Sequence, residues 1–210
     1  MNIIQGSPEW FAQRLGKVTA SRLTDVLAKI KSGEAASRAN YRAELVAERL
    51  TGKSIDGGFT SPAMKWGTEC EPLARSSYEA ETGRMVVETG MIVHPTIPMA
   101  GASPDGLLGS DGLLEIKCPE TKAHINTLLA GEVPSQYIAQ MQWQMSCTDR
   151  KWCDFVSFDP RMPVELQLFV KRVARDDKLI EQFEAEVIKF LTEVDQTITQ
   201  LQSITERETA

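Results

Sequence analysis

Residues 99–117 constrain this chain more than any other stretch. Three short runs, 99–103, 104–108 and 113–117, read as strands, and Gly109-Ser-Asp-Gly112 between the last two has the residues of a tight turn. Successive side chains of a strand point to opposite faces, so Glu115 and Lys117 share one face and Ile116 points to the apolar other. Asp105 then lies across the hairpin from Glu115.

Two carboxylates and a lysine on one hairpin suit phosphodiester cleavage. That reaction needs a deprotonated water in line with the scissile bond and neutralisation of charge on the phosphoryl oxygens. Bound Mg²⁺ meets both needs, and Mg²⁺ takes octahedral oxygen ligands, commonly one or two carboxylates plus water and substrate. Asp105 and Glu115 supply the carboxylates. Lys117, kept protonated by them, can hold the attacking water and offset developing negative charge. A surface hairpin with an ordinary Glu/Lys pair is the plain alternative, and such a pair is worth little.

The rest of the chain reads as alternating helices and strands. Ser7-Pro8 opens a helix to about Gln13, and further helices cover about 20–31, 37–50 and, from Ser61-Pro62, a long stretch to Gly83. Leu23, Val26, Leu27 and Ile30 form the stripe of the second of these, and Gly57-Gly58 marks a loop. Met85–Val93 reads as a strand. Helices follow at about 121–130 and 135–147, the latter with Gln136, Gln140 and Gln144 on one face and Ile138, Met141 and Met145 on another. Trp152–Phe158 and Val164–Val173 are core strands, and a helix from about Asp176 to Leu201 leaves 202–210 as a frayed tail. The expected fold is α/β, one domain over 1–210, with a mixed central sheet flanked by helices on both sides.

Charge is uneven. Residues 1–53 carry nine Lys/Arg against five acids, whereas 176–210 carry three against nine. A basic N-terminal third facing phosphates, with the acidic C-terminal third turned away, is one expectation; solvated helix faces are the other. The four cysteines and two histidines lack zinc-site spacing, and the cysteines read as small apolar residues in a reducing compartment. No apolar run has the length of a membrane span and no secretory signal is visible, so the expected location is the cytoplasm, with no membrane partner.

Ser103-Pro-Asp-Gly106 with Leu114-Glu-Ile-Lys-Cys-Pro119 resembles the active-site core of the lambda exonuclease-like (YqaJ-type) family, within the PD-(D/E)xK nuclease superfamily and its restriction-endonuclease-like fold. Further blocks match in order across about residues 8–200: Trp10–Ser21, Trp66-Gly-Thr-Glu-Cys-Glu71, Ala139-Gln-Met-Gln142 and Phe158-Asp-Pro-Arg-Met162. The resemblance implies that Asp105, Glu115 and the backbone carbonyl of Ile116 hold Mg²⁺, two ions per site with Mn²⁺ able to substitute. It implies Lys117 as the catalytic lysine, Glu71 as a further acid near the metals, and Arg14, Ser21, Ser103 and Gln140 as the grip on a 5′-terminal phosphate. Lys31 stands where the family has a DNA-contacting arginine, and Lys lacks the planar fork of that side chain. Without the resemblance, Arg14 is a surface arginine, Glu71 a helix-surface acid and Gln140 a helix-face glutamine.

The activity so implied is Mg²⁺-dependent degradation of the 5′-ended strand of linear double-stranded DNA to mononucleotides. A toroidal homotrimer would thread the duplex and pass the remaining 3′ single strand to a single-strand annealing protein. A restriction-like endonuclease is the alternative enzyme, and an inactive DNA-end-binding module the alternative of another class.

Overall fold

The computed structural model describes residues 3–55 and 61–208. The expected Gly57-Gly58 loop lies outside the described residues. Helix α1 (Pro8–Arg14) starts at Ser7, whose hydroxyl accepts from the Trp10 N–H, with Pro8 at the first helical position. Strand β1 (Val18–Thr19) and a 3₁₀ turn (Ala20–Arg22) lead into α2 (Leu23–Val26). The expected helix over 20–31 is therefore cut to little more than one turn. Leu23 and Val26 fill the core, but Arg38 Nε donates to the Val26 carbonyl at 3.2 Å and closes the helix end, and Ile30 stays 55% exposed.

Helices α3 (Ala36–Thr51) and α4 (Pro62–Thr82) follow, ended by left-handed Gly52 and Gly83. The expected strand over 85–93 divides into β2 (Val86–Val87) and β3 (Ile92–Val93), which belong to different sheets. Next come β4 (Ala100–Ala102), β5 (Gly106–Leu108), β6 (Gly112–Lys117), α5 (Thr121–Ala130), α6 (Ile138–Thr148), β7 (Trp152–Phe158), β8 (Leu168–Ala174) and α7 (Asp177–Glu208). Residues 202–208 are thus helix rather than frayed tail. Extension of a formed helix adds a hydrogen bond per residue, and Gln and Glu are good helix formers.

Two mixed sheets replace the single one expected. The larger has the order β2-β5-β6-β7-β8, antiparallel except for the parallel pair β6–β7; the smaller has the order β1-β4-β3, with β1 parallel to β4. The division follows from Ser103-Pro104-Asp105: Pro104 has no N–H for a ladder, so one strand cannot run through. Gly101 lets β4 sit tight against β3, because a Cβ there would lie 2.7 Å from the Ile92 carbonyl oxygen.

The large sheet is covered on both faces. Ala74 and Tyr78 of α4 pack on Leu108, Leu114, Ile116, Val156 and Phe158; Met141 and Met145 of α6, with Ile180 of α7, pack on Leu113, Cys153 and Phe155. Each fully buried Leu, Ile, Val, Phe or Met among them contributes about 1.5–3 kcal/mol of transfer free energy. A third cluster joins α2, α3 and α7 to Trp143 of α6. Helix α6 thereby touches both sheets. Among the described residues no helix is long and apolar enough to cross a membrane.

The charge asymmetry has a structural outlet. Arg38 and Arg42 of α3 pair with Glu193 of α7, Arg49 with Asp195, and Lys29 with Glu186. The acidic C-terminal helix thus lies against part of the basic N-terminal third, and for these four groups the expected separation does not occur.

Candidate active site

Asp105 sits at the break between the sheets, one residue ahead of β5, rather than within a strand as expected. The ladder still reaches it: its N–H donates to the Leu114 carbonyl at 3.1 Å. Since Gly106 pairs with Leu114, one further step of register sets Asp105 across from Glu115. The Ile116 N–H donates to Asp105 Oδ2 at 2.6 Å, which fixes the carboxylate over the turn of chain. Leu114 and Ile116 point to the α4 side and Leu113 to the α6 side, so the alternation expected of β6 holds.

Glu115 is 1% exposed and held by three donors. Gln140 Nε2 donates to Oε1 at 2.6 Å, Gln144 Nε2 to Oε2 at 2.5 Å, and Lys117 Nζ approaches Oε1 at 2.5 Å. Gln140 and Gln144 are one helical turn apart on α6, which is why both reach one carboxylate. The Gln136/140/144 face was visible in the sequence, but Gln144 had no role there.

Burial alone would lower the Lys117 pKa, yet Glu115 and Asp105 outweigh it and hold it above the usual lysine value. Lys117 therefore stays an ammonium, lying 5.3 Å from the Tyr137 ring centroid. Burial pushes the Asp105 carboxyl well above the usual range, and the charges of Glu115 and Glu71 add to the rise. Glu71, on α4, is also raised by burial, against the pull of Arg75, whose Nη2 donates to it at 2.7 Å.

A cleft of about 370 Å³ opens over these groups. It is lined by Asp105, Glu115, Ile116, Lys117, Glu71 and Gln140, and also by Trp10, Arg14, Ser21 and Ser103. Trp10 Nε1 donates to Ser103 Oγ at 2.9 Å, and the Arg14 guanidinium lies 4.1 Å from the Trp10 ring centroid. Arg14 is held below the usual arginine value by burial. Trp10 thus locks two of the expected phosphate ligands together. Its signal was the four-residue spacing to Arg14 on one helix, readable only in part, because the contact to Ser103 spans 93 residues. Lys31 is exposed and does not line the cleft.

The donor set fits a hard divalent cation. Among the described residues no three His, Cys, Asp or Glu side chains form a metal cluster by themselves. A cation here would rest on Asp105 and Glu115, with remaining positions left to backbone oxygen, water or substrate, the usual arrangement for Mg²⁺. The mutual repulsion of carboxylates, which adds to burial in raising Asp105, is what such a cation would relieve.

Residues 9–151 match the YqaJ-like viral recombinase domain. The chain is similar to LHK-Exo, an alkaline exonuclease from Laribacter hongkongensis, at 52% identity over 96% of this chain and 99% of that chain, with a TM-score of 0.88. The structure of LHK-Exo in complex with dAMP matches over the same shares with a TM-score of 0.90. A phage-related exonuclease from Haemophilus somnus 129PT shares the fold at 18% identity, covering 88% of this chain and 96% of that one, with a TM-score of 0.68. No curated protein matches the chain. The architecture is the restriction-endonuclease-like one expected from the sequence, with mixed sheets in place of a single sheet.

Proposed function

The chain belongs to the YqaJ-like viral recombinase family, and from that premise we propose that it is a Mg²⁺-dependent exonuclease acting on the 5′-ended strand of linear double-stranded DNA. The observation that carries this reading is one cleft lined both by Asp105, Glu115 and Lys117 and by Arg14, Ser21, Ser103 and Gln140. A cutting group and a cationic pocket within one cleft suit removal of a terminal nucleotide rather than internal cleavage.

Arg14 offers a guanidinium fork, and Ser21, Ser103 and Gln140 offer hydroxyl and amide donors, to a doubly charged terminal phosphate. Asp105 and Glu115 would hold Mg²⁺, which lowers the pKa of bound water and neutralises phosphoryl oxygens. Lys117, as an ammonium, orients the attacking water and offsets charge on the phosphate. That the related LHK-Exo forms a complex with dAMP supports mononucleotides as the product. The homotrimeric ring and transfer of the 3′ strand to a single-strand annealing protein complete the proposal and rest on family resemblance.

A duplex labelled on one phosphorylated 5′ end tests the reading. Mononucleotide release from the 5′-ended strand, dependent on Mg²⁺ and faster than from a 5′-hydroxyl end, is expected. Rapid linearisation of covalently closed circular duplex would instead identify an endonuclease, and end binding without cleavage a binding module.

A further inference from the structure

We propose that Gln144 is a positioning residue for the metal-binding carboxylate. It keeps Glu115 in place while Gln140 is free to turn to the substrate. The inference deepens the reading of the site as a metal-dependent nuclease and rests on it.

The two glutamines bond to the same carboxylate, yet their surroundings differ. Gln140 is half-buried and lines the cleft, so its amide can reach a phosphate. Gln144 is 0% exposed and does not line the cleft, so it cannot touch DNA. Its amide orientation is determined: with the two ends exchanged, a carbonyl oxygen would stand 2.5 Å from Glu115 Oε2. In the correct orientation Oε1 is buried with no hydrogen-bond partner among the described residues. A methionine of similar size in that place would avoid the orphaned carbonyl, so packing does not account for the glutamine. What the amide supplies is a charge-assisted bond to Glu115.

The bond also selects an atom. Gln144 binds Oε2, whereas Gln140 and Lys117 both meet at Oε1. When substrate draws Gln140 to the phosphate and Lys117 to the water, Oε1 is released and the carboxylate would be free to rotate. Gln144 stops that rotation from behind. Groups that orient metal ligands in this way typically govern affinity or activity by about 10–100-fold.

The test uses the full chain and Mn²⁺ as the probe, titrated without DNA and followed by the electron paramagnetic resonance of the free ion. Gln144→Met should fold and bind Mn²⁺ about 10–100-fold more weakly, with a modest drop in melting temperature, because loss of the donor to buried Glu115 is partly offset by removal of the orphaned carbonyl. Gln140→Ala should lose most of the preference for a 5′-phosphorylated end while losing much less Mn²⁺ affinity. A purely structural glutamine predicts a lower melting temperature for Gln144→Met with Mn²⁺ binding unchanged in the folded protein. If Gln144→Met does not fold, Gln144→Asn, which withdraws the donor by one methylene, is judged by the same criterion.

Wild-type affinity for Mn²⁺ in the folded Gln144 variant would overturn the inference and leave the nuclease reading standing. Equal Mn²⁺ losses in the two variants would overturn the division of roles. No Mn²⁺ binding by wild type, with no cleavage of duplex, would remove the nuclease reading itself.

Discussion

Asp159 and Asp105 are acids of the same protein with opposite fates. Burial would raise Asp159, which is 0% exposed, but Arg161 donates to it from Nε at 2.7 Å, Nη2 at 3.0 Å and its backbone N–H at 3.0 Å. Its pKa is held down to about 2. Asp105 receives a backbone N–H and shares the field of one lysine with Glu115, and burial together with Glu115 and Glu71 pushes it up. An acid closed off by its own guanidinium is a fastening: Arg161 also reaches the Pro119 carbonyl and the Trp66 ring, joining the ends of β6 and β7 to α4. An acid left short of positive charge beside another acid suits a cation, as the proposed function requires.

That contrast can be broken most forcefully at Asp105. Asp105→Asn should reduce the rate of duplex degradation by on the order of 10³-fold, yet in chelator its melting temperature should equal or exceed that of wild type, because a self-repelling charge is gone. Excess Mg²⁺ should raise the wild-type melting temperature, with a stabilisation of about 2.7 kcal/mol at a hundredfold excess over Kd, and leave that of the variant nearly unmoved. A large loss of stability in Asp105→Asn would place it in the same class as Asp159.

Asp159→Asn should do the opposite. Urea unfolding should show a loss of about 1–3 kcal/mol at neutral pH, while the folded protein still cleaves. The sign with pH follows from the depressed value: the contribution of Asp159 is complete above the ordinary carboxylate pKa of about 4. It is lost as pH falls toward about 2, so the gap between wild type and variant should close over that window. A gap that stays constant in acid would mean that the ion pair is not its source.

Smaller effects are expected at the basic side chains. Arg14→Ala should narrow the preference for 5′-phosphate over 5′-hydroxyl ends by about tenfold, read from initial rates at saturating Mg²⁺. Lys31→Ala, outside the cleft, should change those rates by no more than about twofold. A larger effect would place DNA well beyond the cleft.

What was legible in the sequence follows the same division between local and distant. Asp105, Glu115 and Lys117 lie within one hairpin, so alternation and a turn sufficed to bring them together. The helix ends at Gly52 and Gly83 were legible because each carries its own glycine. By contrast β1 has two residues and exists only because it pairs with β4, some 80 positions away. The shortness of α2 depends on Arg38, and the split of 85–93 on the different partners of its two ends. Trp10 and Gln144 act on Ser103 and Glu115 across the fold, and no local pattern records that.

The parallel pairing of β6 with β7 sets a timetable. Both glutamines that hold Glu115 lie on the crossover between these strands, from Cys118 to Lys151. A hairpin closes in about 1–10 μs, whereas synthesis at about 5–20 residues per second needs roughly 2–7 s to deliver the crossover. During those seconds a nascent chain displays both carboxylates with neither glutamine of the clamp in place. On the proposed reading, competence to cut DNA would be conferred late in synthesis, when α6 docks, and a truncated product ending before it would carry the acids without the clamp.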